Sequence, residues 1–134
     1  MSISAGPIFK FNPSISISVQ CETEEEIDRL YAALKSGGFE LMPINNYGFS
    51  KKYGWISDKY GLSWQLNQPT DYSTVTHKIA PFLLFVGTKC GKAEEAMHLY
   101  ASTFPDSGVG EIFRHGAGSG EKEGTVQHAS FRLF

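Results

Sequence analysis

Long apolar runs are absent from this chain of 134 residues. The most apolar stretch, Ala80 to Val86, is strand-sized and far short of the roughly 20 residues that span a bilayer. Met1 to Phe9 has neither the basic start nor the apolar core of a secretion signal. The expected location is therefore cytoplasmic, with no membrane partner. Cysteine is scarce: Cys21 and Cys90 are the only two. They do not form a short metal-binding pair, and they suit a reduced compartment as small buried apolar groups. Neither charge is in excess, since 12 Lys and Arg against 14 Asp and Glu leave a formal net charge of −2 and a pI of about 6.1. Basic residues are scattered, and Lys51-Lys52 is the one adjacent pair, as on a solvated loop. The electrostatic footprint of a nucleic-acid binder is missing.

Catalytic signatures are missing as well. There is no Gly-x-Ser-x-Gly elbow, no pair of histidines at helical ligand spacing, and no carboxylate matched to one. Gly116-Ala-Gly118-Ser-Gly120 has the glycines of a dinucleotide or methyl-donor loop. Such a loop works because a helix N-terminus behind it points at a phosphate. Here Glu121 to Gly124 and then a strand follow, so a hairpin connection is expected. The acidic run Glu22 to Asp28 is the favourable charge of a helix N-terminus.

What is present is enough for a core: 41% of residues are hydrophobic and 13% aromatic, in a length that suits one domain or two small half-domains. Ile15, Ile17 and Val19 alternate with Ser14, Ser16 and Ser18, the pattern of a strand with one dry face. Thr23 and Glu26 then form a capping-box pattern, and Ile27, Leu30, Tyr31 and Leu34 recur at helical spacing up to Gly37-Gly38. Strands and turns follow from Glu40 to Gln68, including Leu62, Trp64 and Leu66 alternating with Ser63, Gln65 and Asn67. Gln68 to His77 has the composition of a linker.

Beyond it the order repeats. A strand is expected at Ile79 to Val86, and a helix at Gly91 to Phe104 with Ala93, Ala96, Met97, Tyr100 and Phe104 inward. Pro105, Asp106 and Gly108 stop it, and two strands, Val109 to Arg114 and Thr125 to Phe134, flank the Gly-rich loop. The chain thus reads as two βαβββ-type modules, an α+β fold with mostly antiparallel curved sheet and one helix per module. The modules are expected at 1–68 and 79–134, with 69–78 between them.

Of the four histidines, His77 falls in the linker, His98 within the second helix and His115 at a loop edge. In the last strand Ala129, Phe131 and Leu133 share one face, which puts His128, Ser130 and Arg132 on the other. His128 is either a hydrogen-bonded structural histidine or a functional one.

The run "GPIFKFNPSISISVQCETEEEIDRLYAALKSGG" followed by "YGWISDKYGLSWQL" resembles the second half of a PhnB-like domain. The later "HKIAPFLLFVGTKCGKAEEAMHLYASTFPDSGVGEIFRHG" and "GTVQHASFRLF" resemble the first half. That family, often labelled demethylubiquinone methyltransferase, belongs to the vicinal-oxygen-chelate superfamily of glyoxalase and bleomycin-resistance proteins. The halves stand in reversed order, as across the junction of a longer tandem protein or in a permuted one. "MSISAGP" looks like the end of a strand closing a preceding half, and the chain stops at Phe134 before a final strand. The resulting sheet edge beside Thr125 to Phe134 invites a second copy, so a homodimer is expected.

The resemblance also implies where a divalent metal would be held: by side chains of the first and last strand of each half. Those positions fall near Ser14 and at Gln65 in the leading half, and near Pro81 in the trailing half, whose final strand is absent. Proline offers no side-chain ligand, and Ser and Gln are poor substitutes for His and carboxylate. The expected metal and cofactor content is therefore none, and no methyl-donor site is found. The leading expectation is a metal-free protein that binds a small molecule in a cup formed by the curved sheet. Ser14, Ser16, Ser63, Gln65, His128, Ser130 and Arg132 face that cup, with Trp55 and Tyr53 as walls. Arg132 would pair with an anionic ligand and His128 would exchange a proton. The alternatives are a metal-dependent glyoxalase- or dioxygenase-like enzyme and a structural or assembly module.

Overall fold

A computed structural model describes residues 6–134. The strand end expected at the very start of the chain falls mainly on residues 1–5, outside the described residues. The chain divides into two compact units, Met1–Leu83 and Leu84–Phe134. No helix among the described residues is long and apolar enough to cross a membrane.

The first unit is built on β1 (Ile15–Gln20), α1 (Glu24–Lys35), β2 (Phe39–Asn45), β3 (Lys52–Ser57), β4 (Ser63–Gln68) and β5 (Ile79–Leu83). Its five strands form one sheet in the order β2-β3-β4-β1-β5. β1 and β4 run parallel, and the other neighbours are antiparallel. The parallel pair follows from the connection: α1 crosses the sheet between β1 and the meander β2-β3-β4.

α1 starts where Thr23 Oγ1 accepts the backbone N–H of Glu26 at 3.1 Å. The reciprocal half of the expected box is shifted by one residue, because the Glu26 carboxylate takes the N–H of Glu22, at 2.9 Å. Three glutamates, Glu24 to Glu26, sit in the first turn, where the helix dipole favours them. Glu24 and Asp28 lie one helical turn apart and both pair with Lys52 of β3, at 2.9 and 2.7 Å. The helix ends at Gly37, whose φ of 77° suits glycine.

The core lies between α1 and one face of the sheet. Ile27, Ile56 and Leu66 are fully buried together with Cys21, while Val19 and Tyr31 complete the cluster. Each large aliphatic side chain so removed from water contributes roughly 1.5–3 kcal/mol. Gly54 of β3 lets the Tyr31 ring lie directly on the strand: a Cβ there would come within 2.6 Å of Tyr31 Cε2.

β5 extends the first sheet. Ile79–Leu83 pairs antiparallel with β1, with Ile17 opposite Pro81 and Ser16 opposite Phe82. The strand expected to open the second module therefore completes the first sheet, and the division falls after Leu83. Proline is tolerated in β5 because it is an edge strand, where one missing N–H breaks no second ladder.

The second unit holds α2 (Ala93–Thr103) and the hairpin of β6 (Gly108–Arg114) and β7 (Val126–Arg132). Met97 is buried, and Tyr100 meets Phe131 of β7 with ring centroids 5.9 Å apart. Arg114 grips Glu94 of α2 with both terminal nitrogens at 2.8 Å, a bidentate pair that ties helix to hairpin. The Gly-rich segment joins β6 directly to β7, closed by His115 N–H to Thr125 O and Gly124 N–H to His115 O, both 2.9 Å.

Candidate functional site

Strand alternation gives the five-stranded sheet two chemically different faces. The face toward α1 carries Ile17, Val19, Ile56, Trp64 and Leu66. Its opposite carries Ser16, Ser18 and Gln20 from β1, Tyr53 and Trp55 from β3, and Ser63, Gln65 and Asn67 from β4. The register places Ser16 beside Ser63 and Ser18 beside Gln65, and Trp55 beside Gln65 and Tyr53 beside Asn67.

Five of these side chains are joined in one network. Trp55 Nε1 donates to Ser63 Oγ at 2.6 Å. Ser63 Oγ lies 2.9 Å from Ser16 Oγ, which also receives Gln65 Nε2 at 3.2 Å. Tyr53 OH donates to Gln65 Oε1 at 2.9 Å. Ser16 Oγ also lies 3.4 Å from Pro13 O, to which its hydroxyl can donate, and between Ser16 and Ser63 either hydroxyl can be the donor. Ser16, Ser63 and Gln65 are buried, and their mutual bonds offset the cost of removing them from water. The Tyr53 hydroxyl is pushed up to about 12 by burial, with a smaller contribution from Tyr47. The network therefore contains no acid or base that ionises near neutral pH.

A second group on the same face is less enclosed. Asn67 Nδ2 donates to Gln20 Oε1 at 2.6 Å, and Gln20 Nε2 donates to Ser18 Oγ at 3.2 Å. These three residues are half-buried. Asn67 Oδ1 is a buried acceptor with no hydrogen-bond partner among the described residues. Next to Asn67, the Tyr53 ring meets Phe49 at 5.1 Å and Tyr47 at 6.0 Å between centroids, both edge-on.

The expected site residues fall into three places. Ser16, Ser63, Gln65 and Trp55 come together in the network. Ser14 stands one residue before β1 and turns to its neighbour, its N–H donating to Asn12 Oδ1 at 3.0 Å and its hydroxyl to the same oxygen. His128, Ser130 and Arg132 form a row of their own on β7 in the second unit, exposed on the side opposite Ala129 and Phe131; the His128 ring lies 6.2 Å from that of Phe113. Ser18, Gln20 and Asn67 were not singled out by sequence reasoning. The signal that finds them is the same alternation, carried on to the ends of the polar rows of β1 and β4.

The metal positions implied by the resemblance do not make a metal site. The β1 side chain that bonds to Gln65 is that of Ser16 rather than Ser14, and the residue beside Gln65 in register is Ser18. Pro81 is paired with Ile17, on the α1 side of the sheet. The donors that do converge are uncharged hydroxyls and an amide already bonded to one another, a set that suits neither zinc nor the harder divalent cations. Among the described residues no group of three or more His, Cys, Asp or Glu could hold a metal ion.

A cavity of about 230 Å³ lies on the α1 side, lined by Leu34, Ser36, Asp58, Lys59 and Tyr60 among others. Its charged groups are engaged: the Asp58 carboxylate receives the N–H groups of Tyr60, Leu62 and Trp64 Nε1, and the Lys59 ammonium sits 5.1 Å from the Tyr60 ring centroid.

Comparison with known proteins gives the chain its relatives. The family model described as 3-demethylubiquinone-9 3-methyltransferase matches residues 1–67 and 77–134. A solved PhnB protein from Bacillus cereus, described as a candidate 3-demethylubiquinone-9 3-methyltransferase, is 52% identical over 48% of this chain and 50% of that one, with a TM-score of 0.46. A protein from Pseudomonas aeruginosa is 29% identical over 49% of each chain, TM-score 0.45. One from Staphylococcus aureus is 37% identical over 40% of this chain and 46% of that one, TM-score 0.40. The chain spans about half the length of the solved structures it matches. No curated protein matches it.

Proposed function

We propose that this chain, which belongs to the 3-demethylubiquinone-9 3-methyltransferase family of PhnB-like proteins, binds an uncharged small molecule without a metal, on the polar face of its five-stranded sheet. The observation that carries this reading is the neutral network Trp55–Ser63–Ser16–Gln65–Tyr53, which includes Gln65, one of the positions where the resemblance implies a metal ligand. A bound molecule would meet the half-buried amides and hydroxyl beside that network, at Gln20, Asn67 and Ser18, with an aromatic cluster at one side. Such a surface selects by hydrogen bonding and shape and gives no charge to an anion. An anionic ligand held by Arg132, with His128 exchanging a proton, is a second arm of the proposal on β7.

Methyl transfer finds no support in the local geometry. The one Gly-rich loop is a β6–β7 hairpin, with no helix N-terminus behind it to hold a methyl donor. The proposal also includes a homodimer through the edge of β7 that no strand covers among the described residues; sedimentation tests it, with a monomer at all concentrations as the refuting result.

The experiment on binding is a melting-shift screen of neutral and anionic fragments, each with chelator and with added zinc, nickel or manganese. The expected result is stabilisation by neutral fragments that is indifferent to metal. Stabilisation that requires metal would return the metal-dependent enzyme to first place.

A further inference from the structure

The network at Ser16 and Ser63 is closed on itself, so a ligand gains little by approaching it. The adjoining row is different. Tyr53, Asn67 and Gln20 lie side by side in register across β3, β4 and β1, and Ser18 follows on β1. At one end the row is walled by rings: Tyr47 and Phe49 are stacked with an interplanar angle of 14°, and both sit edge-on to Tyr53. At the other end it offers hydrogen bonds of known direction.

The amide bookkeeping defines what fits. Asn67 Nδ2 spends one proton on Gln20 Oε1, and Gln20 Nε2 spends one on Ser18 Oγ. Each amide nitrogen keeps a second N–H, and Ser18 keeps its hydroxyl proton. On the acceptor side Gln20 Oε1 is engaged, while Asn67 Oδ1 is buried with no partner among the described residues. A buried carbonyl oxygen left in that state is costly, and a donor brought to it returns that cost as affinity.

Resting on the reading that this face binds a neutral molecule, we infer that the stripe from Tyr53 through Asn67 to Gln20 and Ser18 is the ligand subsite. Its ligand is an uncharged aromatic compound bearing an N–H or O–H donor next to a carbonyl or similar acceptor. Asn67 Oδ1 is closed to solvent at rest, so the half-buried Asn67 side chain turns outward to meet the donor; the acceptor meets the amide protons of Gln20 or the Ser18 hydroxyl, and the ring lies along the Tyr47–Phe49–Tyr53 wall. No ionised group takes part, so a charged analogue gains no partner and loses its hydration.

The test uses the full chain, with benzamide, methyl benzoate and benzoate as probes. Only benzamide has both donor and acceptor without charge. Nitrogen-15 NMR titration follows the side-chain amide peaks of Gln20 and Asn67. Benzamide is expected to shift both and to bind about tenfold more tightly than methyl benzoate, the value of one good hydrogen bond; benzoate is expected to shift neither. Asn67→Ala is expected to erase the preference of benzamide over methyl benzoate. If that variant fails to fold, the wild-type shifts of the Gln20 and Asn67 side chains decide the matter by themselves. Equal binding of benzamide and methyl benzoate on this face would overturn the subsite and leave the wider binding proposal standing. No perturbation of the face by either neutral probe would overturn both.

Discussion

Removing the Ser63 hydroxyl is the sharpest way to ask whether the neutral network is a unit. Ser63 is buried, and its oxygen receives Trp55 Nε1 at 2.6 Å and lies 2.9 Å from Ser16 Oγ. In Ser63→Ala the indole N–H loses its acceptor, while Ser16 keeps Gln65 and Pro13. One hydrogen bond contributes about 1 kcal/mol net, and an orphaned buried donor costs about 1–3 kcal/mol. Trp55 is half-buried, so water recovers part of this. The expected loss is about 2 kcal/mol. Ser16→Ala removes a different part of the same set, the acceptor of Gln65 Nε2.

Because the two hydroxyls share a bond, the double variant should lose less than the two single losses added, by at least about 0.5 kcal/mol. Urea unfolding read by tryptophan fluorescence is a suitable assay, since the only two tryptophans, Trp55 and Trp64, both lie in the first unit. With a slope of about 1–2 kcal/mol per molar, the midpoint of Ser63→Ala should fall by about 1 M or more. A change below about 0.5 kcal/mol, with strict additivity in the double variant, would show that the hydroxyls are neighbours rather than a network.

Other outcomes follow from the same structure. Gly54→Ala puts a Cβ 2.6 Å from Tyr31 Cε2 and 3.3 Å from Ile44 Cα, so it should cost about 1–3 kcal/mol in the same assay; a neutral result would mean that Tyr31 is not packed on β3. Glu26 is held below the usual carboxylate range by its bond from Lys78 and then by the Glu22 N–H. A lowered folded value means that its stabilisation is complete above the ordinary carboxylate range and is lost as pH falls through the folded value. Glu26→Gln should therefore narrow the stability difference between about pH 7 and pH 3, and an unchanged difference would discount the Lys78 pair. Cys21 is fully buried and its thiol is pushed up to about 11, mainly by burial, whereas Cys90 is exposed. A thiol reagent near pH 8 should modify Cys90 quickly and Cys21 only on unfolding; equal rates would contradict the packing around Cys21.

Much of this was readable from spacing alone, for a physical reason. The Ile-Ser alternation of β1 states which residues share a face, although Ser16 is buried and Ile15 exposed, and α1 carries its own start and stop in Thr23 and Gly37. α2 likewise shows its buried side through Met97 and Tyr100. The sequence resists reading where the partner of a strand is chosen by tertiary context. Ile79–Leu83 has the apolar composition of any buried strand, and nothing local says that it pairs with β1 rather than with the elements after it.

The site shows the same limit. Alternation puts Ser16, Ser63 and Gln65 on one face, but the cross-strand register decides which hydroxyl meets which. That register makes Ser16 the neighbour of Ser63 and leaves Ser14 bonded to Asn12. Gln20 and Asn67 lie on different strands, far apart in sequence. Only pairing across β1 and β4 brings them together. The aromatic wall depends on the loop between β2 and β3, whose path no periodicity encodes.

The central claim is that this face binds a neutral molecule without a metal. The most direct test is a nitrogen-15 NMR titration of the full chain with benzamide, in the presence of a chelator. Saturable shifts are expected at the Trp55 indole and at the Gln20 and Asn67 side-chain amides, unchanged when zinc or manganese replaces the chelator. Shifts that arise only with the metal, or that bypass these three side chains altogether, would contradict it.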